Sequence, residues 1–493
     1  TAYRRQRQMC IRDRENTQKH YMGWITLSMF VYITVISFED PFYPYQEYGL
    51  FVLVLWIIML LFYQLPYTLI ATELGSAYEG EEAGGMSSWI RRGTGSDLLG
   101  YATGWMYWAQ TIPYLIDCAS SVVVSISWVI LGNRSLSQKM SPMVFSFITF
   151  LIILLFLIFD NTVKDALDAT SLWSGIAMVV MTLVFFGMIV WSLSHGGHIA
   201  TKLTWNNIKP HLSLHYFSSA SMLIFAMSGA ELAAPYISRL RNPQKEFPKT
   251  MWLLFFVTAL MVILETLGLA VLFDAKHIPN DFKMNGDYFA FQLLGREAGM
   301  GNSLMLAYSI VCLVSLLAQI AALIDAASRF LASDTAVKYM PSWLLKKNKN
   351  GRPINSYIFT AGTTLVLIVL GGTLPKINDF VNWLLNINTI VSPYKTAVVF
   401  LCFLILRYNR KHFGKNEFVF IKNRKGALAV GWWCFLLTFI CATMAFLPQN
   451  GQFGTPKWFH QLWMNIVVVL FLFGTGFILP LLRKWEVKRK MKI

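Results

Sequence analysis

Glu39 with Asp40, Glu231 and Lys395 all stand inside or at the edge of long apolar runs. Charge in such a setting is costly unless it faces protein or a water-filled cavity, so each is a candidate for holding a charged ligand. Glu231 follows Ser228, Gly229 and Ala230 within Ser218–Pro248, SSASMLIFAMSGAELAAPYISRLRNPQKEFP. Small residues allow a helix to unwind, freeing N–H and C=O groups that a ligand or internal water satisfies and lipid does not. A Glu bonded to a neighbouring helix, with Gly for close packing, is the plainer alternative. Lys395 lies about 24 Å past Asp379 and about 18 Å before Arg407 on an ideal helix, too deep for easy snorkelling. An intramembrane cation wants a carboxylate or an anionic ligand; Glu231, Asp325 and Asp117 are candidates, and the sequence leaves the choice open.

Other polar positions add to this set. Gln110, Tyr114 and Asp117 are spaced 4 and 3 apart and share one helix face, alongside Trp105 and Trp108. That face should look toward a cavity or a partner helix, and for Gln110 the helix partner is favoured. Glu265 is another intramembrane acid, and Asp325 stands four residues before Arg329, the spacing of a helical ion pair. His195, His198, His211 and His215 crowd one connection without a carboxylate or Cys companion, so no metal site is expected. The Gly84-Gly85 pair follows no strand and precedes no Lys-Ser/Thr, which argues against nucleotide binding. No clustered nucleophile or metal set points to an enzyme, and no cofactor is expected.

The elements that must position these residues are membrane helices. Of 493 residues, 55% are hydrophobic and 14% charged, with mean hydropathy +0.49. About twelve runs are long enough to cross a bilayer of about 30 Å. They lie near 22–45, 50–74, 99–131, 143–160, 170–194, 216–239, 250–273, 302–333, 355–374, 379–407, 427–447 and 459–482. The large majority of the 42 Lys and Arg fall in the termini and the connections on the N-terminal side. The positive-inside rule then puts both termini in the cytoplasm of a multi-pass plasma-membrane protein. The same distribution explains the net charge of +16 without nucleic acid. Cys118, Cys312, Cys402, Cys434 and Cys441 lie in spans and Cys10 in the tail, so no disulfide framework is expected. No cleavable signal peptide is expected, and residues 1–14 have the look of non-native vector sequence.

Two of the runs carry an interruption. In the first, Ser37-Phe38-Glu39-Asp40-Pro41 follows about ten apolar residues; Pro41 removes a donor and disfavours helix at Asp40. A break at Ile36 to Pro41 is expected, although paired acids also suit a helix that has reached the surface. The second interruption is Ser228 to Glu231 in the sixth run. Pro66 should kink the second run, and Ser392-Pro393-Tyr394 the tenth. Breaks five spans apart suit two inverted five-helix repeats, 22–194 and 216–407, followed by two extra helices at 427–482. Residues 1–21 and the basic 483–493 would be cytoplasmic tails. Half-helix N-termini favour an anionic group, while C-terminal carbonyls and nearby acids suit an ammonium. A site with both fits a zwitterion such as an amino acid.

Several stretches resemble one superfamily. SGAELAAPYISRLRNPQKEFPKTM resembles the sixth helix and following loop of the amino acid–polyamine–organocation superfamily. ELGSAYEGEEAGGMSSWI looks like its second-to-third connection, and SRFLASDTAVKYMPSWLLKKNKNGRPINS like the end of its eighth helix. FEDP in the first helix is closer to the glutamate/GABA-antiporter branch than to members with a Gly-Ser-Gly break. The resemblance covers most of residues 22–410. It implies an all-α LeuT-like fold with helices 1 and 6 broken, and transport by alternating access without ATP hydrolysis. By position it implies that Ile36, Ser37, Phe38, Glu39, Asp40, Ser228, Gly229, Ala230 and Glu231 line the substrate site. Arg239 departs from the pattern, which commonly has an acid shortly before Asn242-Pro243, and Lys395 has no match in it.

The expectation is therefore a secondary active amino-acid transporter, exchanging an amino acid for a related amine or decarboxylation product. A proton-coupled amino-acid or polyamine permease is the alternative, and a non-transporting membrane sensor a third reading. Tyr114 joins the substrate site; Asp117, Asp325 and Lys395 would serve charge selection or coupling. The expected partners are an amino-acid or amine substrate and membrane lipid, with homodimerisation left open.

Overall fold

The computed structural model describes residues 22–77, 85–135, 139–159, 166–209, 214–331, 338–346, 354–409, 418–448 and 453–490. Among these the regular structure is entirely helical. The first span is two pieces, α1 (Trp24–Val35) and α2 (Phe42–Tyr48), separated at Ile36, where the backbone is extended (φ −138°, ψ 131°). Gly49, at φ +58°, turns the chain into the second span. That span comprises α3 (Val52–Met59), a π-helical turn (Leu60–Gln64) and α4 (Leu65–Ser76). The π turn sits just before Pro66, which lacks the N–H that a regular ladder would use.

The remaining spans follow the apolar runs closely, and shorter helices form in the connections. They are α5 (Met86–Thr94), α6 (Asp97–Leu131), α7 (Pro142–Phe159), α8 (Ala166–Ser194) and α9 (Trp205–Ile208). The sixth span is again two pieces, α10 (Leu214–Ala226) and a 3-10 helix (Ala230–Arg239). Then come α11 (Pro243–Leu272), α12 (Phe282–Glu297), α13 (Ser303–Leu331), α14 (Ile354–Gly372), α15 (Ile377–Tyr408), α16 (Arg424–Met444) and α17 (Pro456–Lys490). α15 runs as helix through Pro393. α17 continues past residue 483, so the described part of the basic tail is helical. Residues 1–21, and with them Cys10, lie outside the described residues, as do Gly84 and His211; nothing is described of the side chains of His215 and Asp325.

Packing divides the spans into two sets. α11 and the 3-10 helix contact each other, and each contacts both α1 and α4. α6, α7, α13 and α14 form the other group, while α8 and α15 bridge toward both. Nine described helices are long and apolar enough to span a membrane, and Trp24–Val35, Pro142–Ile158 and Ser219–Ala234 are shorter apolar ones. Lipid-length helices, two of them interrupted at the core, form a multi-pass membrane protein of LeuT-like architecture.

Candidate functional site

The two breaks touch. Gly229 takes φ +125°, a conformation that side-chain-bearing residues rarely adopt, and a Cβ added there would stand 2.8 Å from Val35 Cγ2 at the end of α1. Glycine therefore serves two needs at once: the unwound turn and the close approach of the first span.

The sixth break is held from other helices. The Gly229 N–H donates to the Tyr67 hydroxyl on α4 at 3.0 Å, and that hydroxyl donates to Glu231 Oε2. The other oxygen of Glu231 forms an ion pair with Lys395 Nζ on α15. Glu231 is 1% exposed and Lys395 2% exposed. Of the three acids weighed for Lys395, Glu231 is its partner, and Asp117 pairs elsewhere. A buried pair of this kind persists only when both charges are matched, since a lone buried ion is strongly unfavourable.

The first break is held by its own residues. The Ser37 N–H donates to Asp40 Oδ2 at 2.6 Å, the Asp40 N–H to the Ser37 carbonyl at 3.1 Å, and the Phe42 N–H to the Glu39 carbonyl at 3.1 Å. Glu39 and Asp40 are half-buried. Phe38 turns away into a cluster with Phe185, Phe291 and Tyr308, at ring separations of 5.2–5.3 Å.

Small adjoining cavities surround the breaks. One is bounded by Ser37, Glu39, Asp40, Tyr114, Asp117 and Lys283, another by Gln110, Tyr114, Ser228, Gly229 and Lys395, and a third by Ile36, Ser37, Phe38 and Glu39. The shared face of Gln110, Tyr114 and Asp117 thus forms one wall. Tyr114 donates to the Thr34 carbonyl at 3.3 Å and accepts from Gln319 at 2.7 Å, joining α6 to the end of α1 and to α13. Ala230 is buried beside Gly229 at the start of the 3-10 helix. Acids, an ammonium, carbonyls and an unwound turn in one place suit a small molecule bearing both charges.

Three features escaped the sequence reading. Tyr67 is anonymous among apolar neighbours. Arg407 Nη2 meets Glu73 Oε2 at 2.5 Å, which also accepts the Phe420 N–H at 2.9 Å. Both residues lie near helix ends, where snorkelling is the ordinary expectation. Most consequential is α12, a helix inside a connection between spans. It carries Lys283, whose Nζ lies 3.4 Å from Asp117 Oδ1. The i,i+4 spacing of Lys283 and Asp287 was the available signal.

Glu265 accepts from Thr182 at 2.9 Å in a separate contact between α11 and α8. His195 is exposed and stacks on Trp191. Among the described residues no group of three His, Cys, Asp or Glu could hold a metal ion.

The sequence profile of the amino acid permease family matches residues 22–472. The chain belongs to this family. An aspartate/glutamate permease of Lactococcus lactis subsp. cremoris is 33% identical over 94% of this chain and 96% of its own length. A glutamate/gamma-aminobutyrate antiporter of Lactococcus lactis subsp. lactis is 22% identical over 78% of this chain and 75% of its own. A manganese transporter of Eremococcus coleocola has a solved structure similar to the permease at a TM-score of 0.54, with 13% identity and 96% of each chain covered. That likeness is one of fold. The permease is a transporter of amino acids, not an enzyme, and the superfamily resemblance read from its motifs holds.

Proposed function

We propose that the chain carries acidic amino acids, aspartate or glutamate, across the plasma membrane by alternating access. The substrate would bind between Ile36–Asp40 and Ser228–Glu231, with Tyr114 beside it. The charge distribution of the sequence supports placing the Arg- and Lys-rich end, with both termini, in the cytoplasm. The observation that carries the substrate reading is the 33% identity, over nearly the whole of both chains, to an aspartate/glutamate permease. The geometry supports a zwitterionic ligand, because the first break opens on a cavity that holds Glu39, Asp40 and Asp117 together with Lys283, and the sixth on one that Lys395 lines.

Closure at each end of the site supports alternation. Away from the basic end, Phe38, Phe42, Phe282, Phe291 and Tyr308 pack with mostly tilted rings into one aromatic cluster. At the basic end, the Met22 N–H donates to the Arg239 carbonyl at 2.9 Å and Glu73 pairs with Arg407. Each seal would have to part in turn.

Exchange for a related amine is the second reading, favoured by the antiporter relative. Radiolabelled aspartate and glutamate uptake into proteoliposomes separates the two. Uptake into empty vesicles under an inward proton gradient is the expected result. Uptake only into vesicles preloaded with glutamate, aspartate or GABA would establish the exchanger instead. Absence of flux with either acid, alongside flux of arginine, agmatine or lysine, would refute the acidic reading.

A further inference from the structure

We infer that Lys283 is the cation that receives the side-chain carboxylate of an acidic substrate, and that Asp117 is the internal carboxylate the substrate displaces. This rests on the proposed reading of the substrate as an acidic amino acid. Lys283 belongs to a connection between spans, yet it is 8% exposed and lines the cavity that Ser37, Glu39, Asp40, Tyr114 and Asp117 also line. The other buried lysine among the described residues, Lys395, is committed to Glu231, which Tyr67 also binds.

The Lys283–Asp117 contact is the loosest of the described ion pairs, at 3.4 Å. A charge-assisted N–H to carboxylate bond settles at about 2.7–2.9 Å. Asp117 therefore holds the ammonium without closing on it, leaving it open to a better-placed carboxylate. The helix bearing Lys283 is held firmly by contrast. Asn285 accepts from the Trp128 indole at 2.8 Å, Asp287 from Tyr308 at 2.6 Å, and Asp281 from Arg134 at 2.5 Å. A lysine on a fixed helix, facing a cavity and loosely paired, is preorganised for an anion.

Charge balance extends the argument. Facing Asp117 are Glu39 and Asp40 from the first break, Tyr43 from α2, Lys283 from α12, and Tyr114 and Cys118 from α6 itself. The facing parts of α10 and α15 bring the apolar Met222, Phe225 and Leu385, with Asn388 adjoining Asp117. Three carboxyls surround one ammonium, so a further anion is poorly accommodated as it stands. If the substrate carboxylate replaces Asp117 on Lys283, the lysine keeps its counter-charge. The released Asp117 then takes a proton from the solution outside, and substrate and proton enter together.

The test is isothermal titration of the purified full-length protein in detergent with L-aspartate and with L-asparagine, which differ only in that carboxyl. Lys283→Gln alone strands a buried carboxylate, so the double variant Lys283→Gln/Asp117→Asn is used. Its aspartate-over-asparagine preference should fall about tenfold or more, the usual scale for losing a charged hydrogen bond. Lys283→Arg should keep most of the preference. In proteoliposomes, Asp117→Asn should move aspartate without response to an imposed proton gradient. An unchanged preference in the double variant, equal loss of both ligands, or gradient-driven accumulation by Asp117→Asn would overturn the inference. Wild-type protein that binds asparagine but not aspartate or glutamate would overturn the substrate reading, and this inference with it.

Discussion

The two breaks in the helices solve the same problem by different means. In the first, Ser37 and Asp40 bond to each other and the Phe42 N–H donates to the Glu39 carbonyl, all within a few residues of chain. In the sixth, Gly229 and Glu231 depend on Tyr67 and Lys395, which come from helices distant in sequence. A locally held break moves as a unit with its own helix. A break held by two other helices registers their positions, and displacing α4 or α15 must disturb it. The first break is thus suited to presenting polar groups to a ligand, and the sixth to coupling the ligand to the surrounding helices.

Substitutions at the sixth break should therefore cost more than those at the first. Glu231→Gln leaves Lys395 as a buried cation without a counter-charge, at a cost of about 3–5 kcal/mol. The expected outcome is a markedly lower melting temperature in detergent and loss of uptake; full activity would remove Glu231 from the account. Gly229→Ala places a Cβ against Val35 in a conformation costing about 1–3 kcal/mol, and uptake should fall with the protein still in the membrane. Tyr67→Phe removes one link to Gly229 and one to Glu231, and a loss of about 1–3 kcal/mol is expected in the same melting assay. Asp40→Asn keeps a carbonyl oxygen for the Ser37 N–H, so stability should change least, by about 0.5–1.5 kcal/mol. A larger loss from Asp40→Asn than from Tyr67→Phe would reverse the comparison.

How much of this could be read from the sequence follows from the same difference. Pro41 and the acids beside it mark the first break, and Gly229 before Glu231 marks the sixth, because backbone chemistry is local. Lys395 announces itself by depth in an apolar run. Its partner does not, because three acids are equally plausible until the helices are packed. Lys283 is hidden differently: it lies in a polar segment that reads as an outer connection, and only the folding of α12 brings it to the cavity beside the first break. Spans are legible wherever hydropathy alone sets them. The Glu73–Arg407 pair is not, since charged residues near helix ends are ordinary.

The most direct test removes both charges at once. Glu231→Gln with Lys395→Met leaves no unmatched buried ion, so the double variant should recover much of the stability that Glu231→Gln alone loses. Aspartate uptake by this variant in proteoliposomes then isolates the role of the link from its contribution to folding. The account predicts a folded protein with uptake reduced to background. Wild-type uptake in the double variant would contradict it, leaving the sixth break as a structural feature without a part in transport.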